Sequence, residues 1–464
     1  MTVESTTPRA TAEIDRDRVA SLTEREMARL AERTPASKGR YERGLTVMPG
    51  GVPSSFQEND PWPTYIERGS GSRVWDVDGG EYVDFHNGFG VMCVGHANPA
   101  IGEAVKARVD MGIHFAAPTD GSIVVAEELA RRFGLPQWRF TNSGTESTMD
   151  AVHLARGATG RDMILKIEGS YHGHHDAVMV SVYPELDDLG ERDDPRSVPY
   201  GEGYPRAITE LTRAVPFNDA DALESVLAKL DGQVAGLIME PAMMNINIIP
   251  PVAGYLERVR ELTAEHGVKL IFDEVKTGAT IAYGGATKRF GVQPDMITLA
   301  KAICGGYPGG AIGMSDEIAE LVASGRVHQY GTFNGNPLVM AAADAALNQV
   351  LTEDVYVGLE QTNDRLRARC EEIIGRYGLP AYTEDLGAKG CVIFAAQPLR
   401  EYRDYLSKVD AELATLGWLF HMNHGIFMTP GVEEEWTLSV AHSDEDVERY
   451  AHALEAFARE VTGG

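Results

Sequence analysis

The 464 residues carry 42 Lys and Arg against 69 Asp and Glu, a formal net charge of −27, with 43% hydrophobic and 24% charged residues. The composition is ordinary for a globular chain, and the acidic excess excludes the basic surfaces that nucleic acids and anionic membranes require. Four cysteines, Cys93, Cys304, Cys370 and Cys391, stand without CxxC spacing, so neither a zinc site nor a disulfide framework is expected.

The first 35 residues hold no apolar core of signal-peptide length, and no run of about 18 apolar residues occurs. A soluble, cytoplasmic enzyme is the expectation. Residues 1–15 are polar and aperiodic. A helix is expected over 18–33, with Leu22, Met27 and Leu30 near one face and Ser21 with Glu24 as a capping box. Gly and Pro punctuate a loop at 49–55. Residues 73–77 and 81–85 alternate apolar and polar around Asp78-Gly79-Gly80, a hairpin signal. After the Gly-rich residues 86–90, strand and helix signals alternate to about residue 338, as in a doubly wound, mostly parallel sheet. The acidic segment 184–204 lacks periodicity and reads as an exposed insertion. Beyond Pro337 an Ala-rich helix (338–351) leads into a smaller α+β region closing on an amphipathic helix near 444–460.

Residues 138–160 (WRFTNSGTESTMDAVHLARGATG) read as a short strand, a tight turn at 142–145 and a helix. A helix start presents unpaired N–H groups and partial positive charge to an anion such as phosphate. Gly144 would let the backbone come close, with Ser143 and Thr145 adding hydroxyls; an ordinary N-capped helix uses the same residues. GxxxxGK[ST] is absent, so this is no P-loop. Residues 163–176 (MILKIEGSYHGHHD) read as a further strand followed by an aromatic, polar turn, where the Tyr171 ring can stack on a flat molecule. His172, His174, His175 and Asp176 match no standard zinc spacing, and a hydrogen-bonded turn is the expectation, with no metal. The apolar run from 234 ends at Glu240-Pro241, where Glu240 either caps the strand or organises a site.

Two further apolar runs end in chemistry. Leu270-Ile271-Phe272 leads to Asp273, and residues 296–300 lead to Lys301 before a Gly-rich turn. Such runs read as buried parallel strands, whose carboxyl ends face the ligand crevice of an α/β sheet. An amine that forms a Schiff base with an aldehyde, beside an acid for a pyridine nitrogen, is the combination pyridoxal phosphate needs.

In order, these pieces are a DxDG hairpin, SGTE, YHG, EP, DEV, the lysine, then GTFNGNP. Over roughly 45–455 the sequence resembles the class III aminotransferases of the fold-type I pyridoxal-phosphate superfamily, and within them the glutamate-1-semialdehyde 2,1-aminomutases. The resemblance implies an α/β fold with a large sheet domain (76–337) and a smaller α+β domain (338–464) that the N-terminal helix and hairpin segment (1–75) joins. It implies Lys301 as the Schiff-base lysine and Asp273 as partner of the ring nitrogen. Val275 and Tyr171 would cover the two ring faces, with Ser143, Gly144 and Thr145 on the phosphate, and His172, Glu240 and Asn245 completing the cofactor site. Thr332 would reach the phosphate of a neighbouring subunit, which implies a homodimer with shared sites. Glu434 would stand near the pocket mouth and Phe89 where the aminomutases have tryptophan. One departure bears on substrate: Gln57 occupies the position of an arginine that grips the substrate carboxylate, and Gln cannot supply that charged, two-pronged contact. An amine, β-amino acid or ω-amino acid donor is therefore expected, with an aminomutase using another cation as the alternative.

Overall fold

The computed structural model describes residues 11–432 and 435–463. Its centre is a seven-stranded sheet, in the order Gln137–Thr141, Gly310–Met314, Met296–Leu299, Lys269–Asp273, Val234–Met239, Met163–Ile167, Thr212–Val215. From 296–299 to 212–215 every neighbouring pair runs parallel, while 310–314 is antiparallel to both its neighbours. The strands 163–167, 234–239 and 296–299 are buried at every position. Helices on both faces demand this, and it explains why the sequence shows continuous apolar runs there and no alternation. The register sets Asp273 opposite Thr298. The strands ending at Ile167, Met239, Asp273 and Leu299 thus deliver Tyr171, Glu240, Asp273 and Lys301 to one sheet edge, the edge where ligands sit in such folds.

The hairpin is present as Arg73–Asp76 paired antiparallel with Glu81–Asp84. An outer strand, Ile66–Ser70, joins it; its side chains are mostly exposed, so it left no apolar alternation to read. Glu81–Asp84 also pairs with Ile426–Phe427, which ties the two ends of the chain into one sheet that continues past residue 75. A second small sheet joins Tyr382–Leu386, Lys389–Ile393 and Glu435–Thr437. The last helix, Asp444–Thr462, opens on a capping box between Ser443 and Asp446.

Two local expectations are corrected. The first helix runs Arg16–Arg33 and is capped by Asp15, whose carboxylate accepts from the N–H groups of Asp17 and Arg18 at 3.0 and 3.3 Å. A carboxylate caps as well as a hydroxyl, and Ser21 lies inside the helix. The 184–204 segment is anchored as well as exposed: Leu189 and Pro195 are buried, a short ribbon pairs 190–191 with 194–195, and Arg192 bridges Asp219 and Glu401 at 2.7 and 2.5 Å. Among the described residues no helix is long and apolar enough to cross a membrane.

Candidate active site

The helix Gly144–Thr159 starts at the sheet edge, with Ser143 Oγ accepting the N–H of Glu146 at 3.2 Å. Ser143 therefore serves as the N-cap, and Gly144 and Thr145 open the helix with N–H groups that have no intrahelical acceptor. A Cβ on Gly144 would lie 2.9 Å from Val275 Cγ2, so only glycine lets Val275 close over the helix start. Gly173, at φ +94°, brings the 170–176 turn equally close: a Cβ there would lie 2.6 Å from the Thr145 Cα. The His174 N–H donates to Thr145 Oγ1 at 3.1 Å.

That turn is held from behind by Lys166. Its buried ammonium donates to the carbonyls of Ser170, Val178 and Val180 at 2.7, 3.3 and 2.7 Å, and burial pushes its pKa down to about 7. The imidazoles of the turn go to separate partners. His172 Nδ1 is 2.7 Å from Asp273 Oδ2 and its Nε2 is 2.9 Å from Ser170 Oγ. His175 faces Thr148, and His174 faces Tyr204.

Glu240 organises the site and does more than end its strand. Oε1 accepts from the Tyr171 N–H at 3.2 Å and Asn245 Nδ2 at 2.8 Å, and Oε2 accepts the Met244 N–H at 2.9 Å. Burial raises its pKa against the pull of His172 and Asn245. Asp273 is fixed on both oxygens: His172 holds Oδ2, while Oδ1 accepts the Val275 N–H at 3.0 Å and Thr298 Oγ1 at 3.1 Å. Lys301 opens a single 3₁₀ turn at φ +51°, a left-handed conformation that costs a non-glycine residue about 1–3 kcal/mol and clusters at functional sites.

These groups line one cavity of about 210 Å³. Gly144, Thr145, Tyr171, His172, Glu240 and Asn245 face it, as do Asp273, Val275 and Lys301. So do Phe56, Gly173, Lys276 and Ala300, which the sequence reading missed. Gln57 is exposed and does not line it; its neighbour Phe56 takes that place and packs on Tyr171 and Phe89, with ring centroids 5.6 and 5.7 Å away. Thr332 lies in a separate cavity with His114 and Asn334. Glu434 falls outside the described residues.

Burial and, less strongly, Lys276 bring the Lys301 pKa down to about 8 against the opposing pull of Asp273, with Lys389 and Glu435 acting in smaller and opposite senses. The amine is therefore charged below about pH 8 and neutral above it. In the cofactor-free protein, reductive methylation of Lys301, followed by peptide mass spectrometry, is expected to reach half its maximal rate near pH 8. Replacing Lys276 by Met should move that midpoint upward. A midpoint near 10.5 would mean that the amine is solvated.

The model of the aminotransferase class III family matches residues 55–422. The chain belongs to the class III aminotransferases. Glutamate-1-semialdehyde 2,1-aminomutase of Methanosarcina acetivorans is 38% identical over 431 residues, covering 92% of this chain and 98% of that protein. The crystal structure of an omega-transaminase from Sphaerobacter thermophilus superposes with a TM-score of 0.86 at 35% identity, covering 92% and 98%. A glutamate-1-semialdehyde-aminomutase from Pseudomonas aeruginosa PAO1, in complex with PMP, superposes with a TM-score of 0.89 at 31% identity, covering 97% and 99%. This class III aminotransferase thus has the fold-type I α/β architecture and is a pyridoxal-phosphate-dependent enzyme.

Proposed function

We propose that this class III aminotransferase moves an amino group from an amine, β-amino acid or ω-amino acid donor to a carbonyl acceptor in two successive half-reactions. The observation that carries the proposal is that Lys301, Asp273 and the start of the Gly144–Thr159 helix face a single cavity. A flat heterocycle with an aldehyde and a phosphate fits this donor set: N–H groups at one end, a fixed carboxylate at the other, and Val275 and Tyr171 as walls. Pyridoxal phosphate, when bound, supplies an aldehyde that takes up the amino group and a ring that withdraws electrons from the carbon being deprotonated.

The residues of the chain then divide the work. Gly144 and Thr145 would hold the phosphate through backbone N–H groups and the helix dipole. Asp273, itself oriented by His172, Val275 and Thr298, would keep the ring nitrogen protonated, as an opposite charge does. Glu240 fixes Tyr171 and Asn245 beside the ring. Lys301 Nζ would hold the aldehyde and, as a neutral amine, would serve as the base that takes and then returns the proton at the carbon bearing nitrogen. Thr332 lines a surface cavity with Phe115, and both Phe115 and the neighbouring Phe333 are exposed. This supports a homodimer in which Thr332 serves the phosphate of the partner chain.

A second reading, intramolecular amino transfer, is favoured by the 38% identity to an aminomutase. The two separate in one assay. The pyridoxal form is mixed with a panel of amines, β-amino acids and glutamate semialdehyde, and its absorbance is followed with and without a keto acid. A transaminase bleaches with its donor and stalls after one half-cycle until the keto acid is added. An aminomutase starts from the pyridoxamine form and turns over with no acceptor supplied. Turnover of glutamate semialdehyde without acceptor would replace the first reading by the second.

A further inference from the structure

Two ammonium groups line the cavity, and the mechanism employs only Lys301. The other, Lys276, stands directly after Val275. Its Nζ donates to the Met244 carbonyl and lies 3.2 Å from Glu435 Oε2. The second oxygen of Glu435 pairs with Lys389, whose Nζ also donates to Thr437 Oγ1 at 3.1 Å. The three side chains are only 13%, 7% and 1% exposed for Lys276, Glu435 and Lys389. Two buried cations thus share one carboxylate, and the first of them, Lys276, lines the cavity.

Such a cluster is weak evidence for stability. Desolvation offsets most of the Coulomb gain, and apolar replacements of equal volume are often neutral or better. Burial alone would push the Glu435 pKa up, yet Lys276 and Lys389 outweigh it and hold the carboxyl below its usual range, so the cluster remains ionic. The two acids that line the cavity are committed. Asp273 is engaged by His172, Val275 and Thr298, and Glu240 by Tyr171, Met244 and Asn245. Close to the same charges, His86 Nε2 is buried with no hydrogen-bond partner among the described residues.

We propose that Lys276 receives the carboxylate of an amino-acid or keto-acid substrate, with Glu435 as the counter-ion that holds the ammonium in place. The proposal rests on the aminotransferase reading of the cavity and names the substrate class: compounds with a carboxylate, in preference to simple amines. It also accounts for Gln57, because the charge that an arginine at that position would supply enters from the loop after the 269–273 strand. A lysine offers a point charge and no planar fork, so it suits a carboxylate whose distance from the amino group varies.

The test is calorimetric titration of the cofactor-loaded enzyme with pentanoate and with pentanamide, which match in shape and differ in charge. The wild-type protein should prefer the carboxylate by about tenfold to a hundredfold, the range of one charge-assisted hydrogen bond. Lys276→Met should bring the ratio to within about twofold, while Lys276→Arg retains the preference. Lys276→Gln keeps a donor for Met244 and Glu435, and should lose the preference as Met does; it serves if the Met variant fails to fold. Melting temperature and cofactor content are measured alongside. A folded, loaded Met or Gln variant with the wild-type ratio overturns the proposal, as does a wild-type protein without a preference. A wild-type chain that takes up no pyridoxal phosphate refutes the underlying reading instead, before any variant is made.

Discussion

Lys301→Ala is expected to lose covalent attachment of the cofactor and to lower kcat/KM by at least about 10³-fold, within the span that a positioned acid–base group contributes. The residue follows a strand buried at every position and enters a left-handed turn, so the backbone aims its side chain at the cavity that Asp273 also lines. Burial and the neighbouring Lys276 bring its pKa to about 8, which makes a neutral amine available near physiological pH. Lys301→Arg separates charge from chemistry: guanidinium stays protonated throughout and should be as inactive as alanine. Steady-state kinetics with a donor from the half-reaction panel reads both. Either variant with a rate within tenfold of wild type would remove Lys301 from the mechanism.

Asp273→Asn should come next, with a loss of about 10²–10³-fold in kcat, comparable to removing one preorganised electrostatic group. Asparagine has nearly the same shape, and its carbonyl can still accept from the Val275 N–H and Thr298 Oγ1, now 3.0 and 3.1 Å from Oδ1. What it lacks is the negative charge that would face the ring nitrogen of the cofactor. The expected pattern is therefore a melting temperature near that of wild type together with a collapsed kcat. A variant that loses stability and rate in proportion would assign Asp273 to the architecture alone.

Much of the fold was legible because burial on both faces of a parallel sheet writes itself as uninterrupted apolar runs. The strands ending at Ile167, Met239, Asp273 and Leu299 all announced themselves in this way. The exposed strand Ile66–Ser70 gave no such signal, and Asp15 as a cap was hidden because Ser21 and Glu24 formed an equally good pattern further along the chain. At the site, chemistry was legible where a polar residue ended an apolar run, as with Asp273 and Lys301. Phe56 was missed in favour of its neighbour Gln57, because a one-residue choice in a short 3₁₀ turn decides which side chain faces inward. Lys276 was missed for a different reason: its partner Glu435, and the Lys389 that shares that carboxylate, come from more than 100 residues away, and no local pattern announces such a cluster. A lysine directly before a stretch as buried as 277–281 was the one available hint.

The most direct test of the central claim is to load the protein with pyridoxal phosphate, fix the linkage with borohydride, and map the modified peptide by mass spectrometry. The account predicts one pyridoxyl group per chain, on Lys301, whose attachment disappears in Lys301→Ala. Label on Lys276, Lys166 or a surface lysine in its place, or no stable label at all, would contradict it.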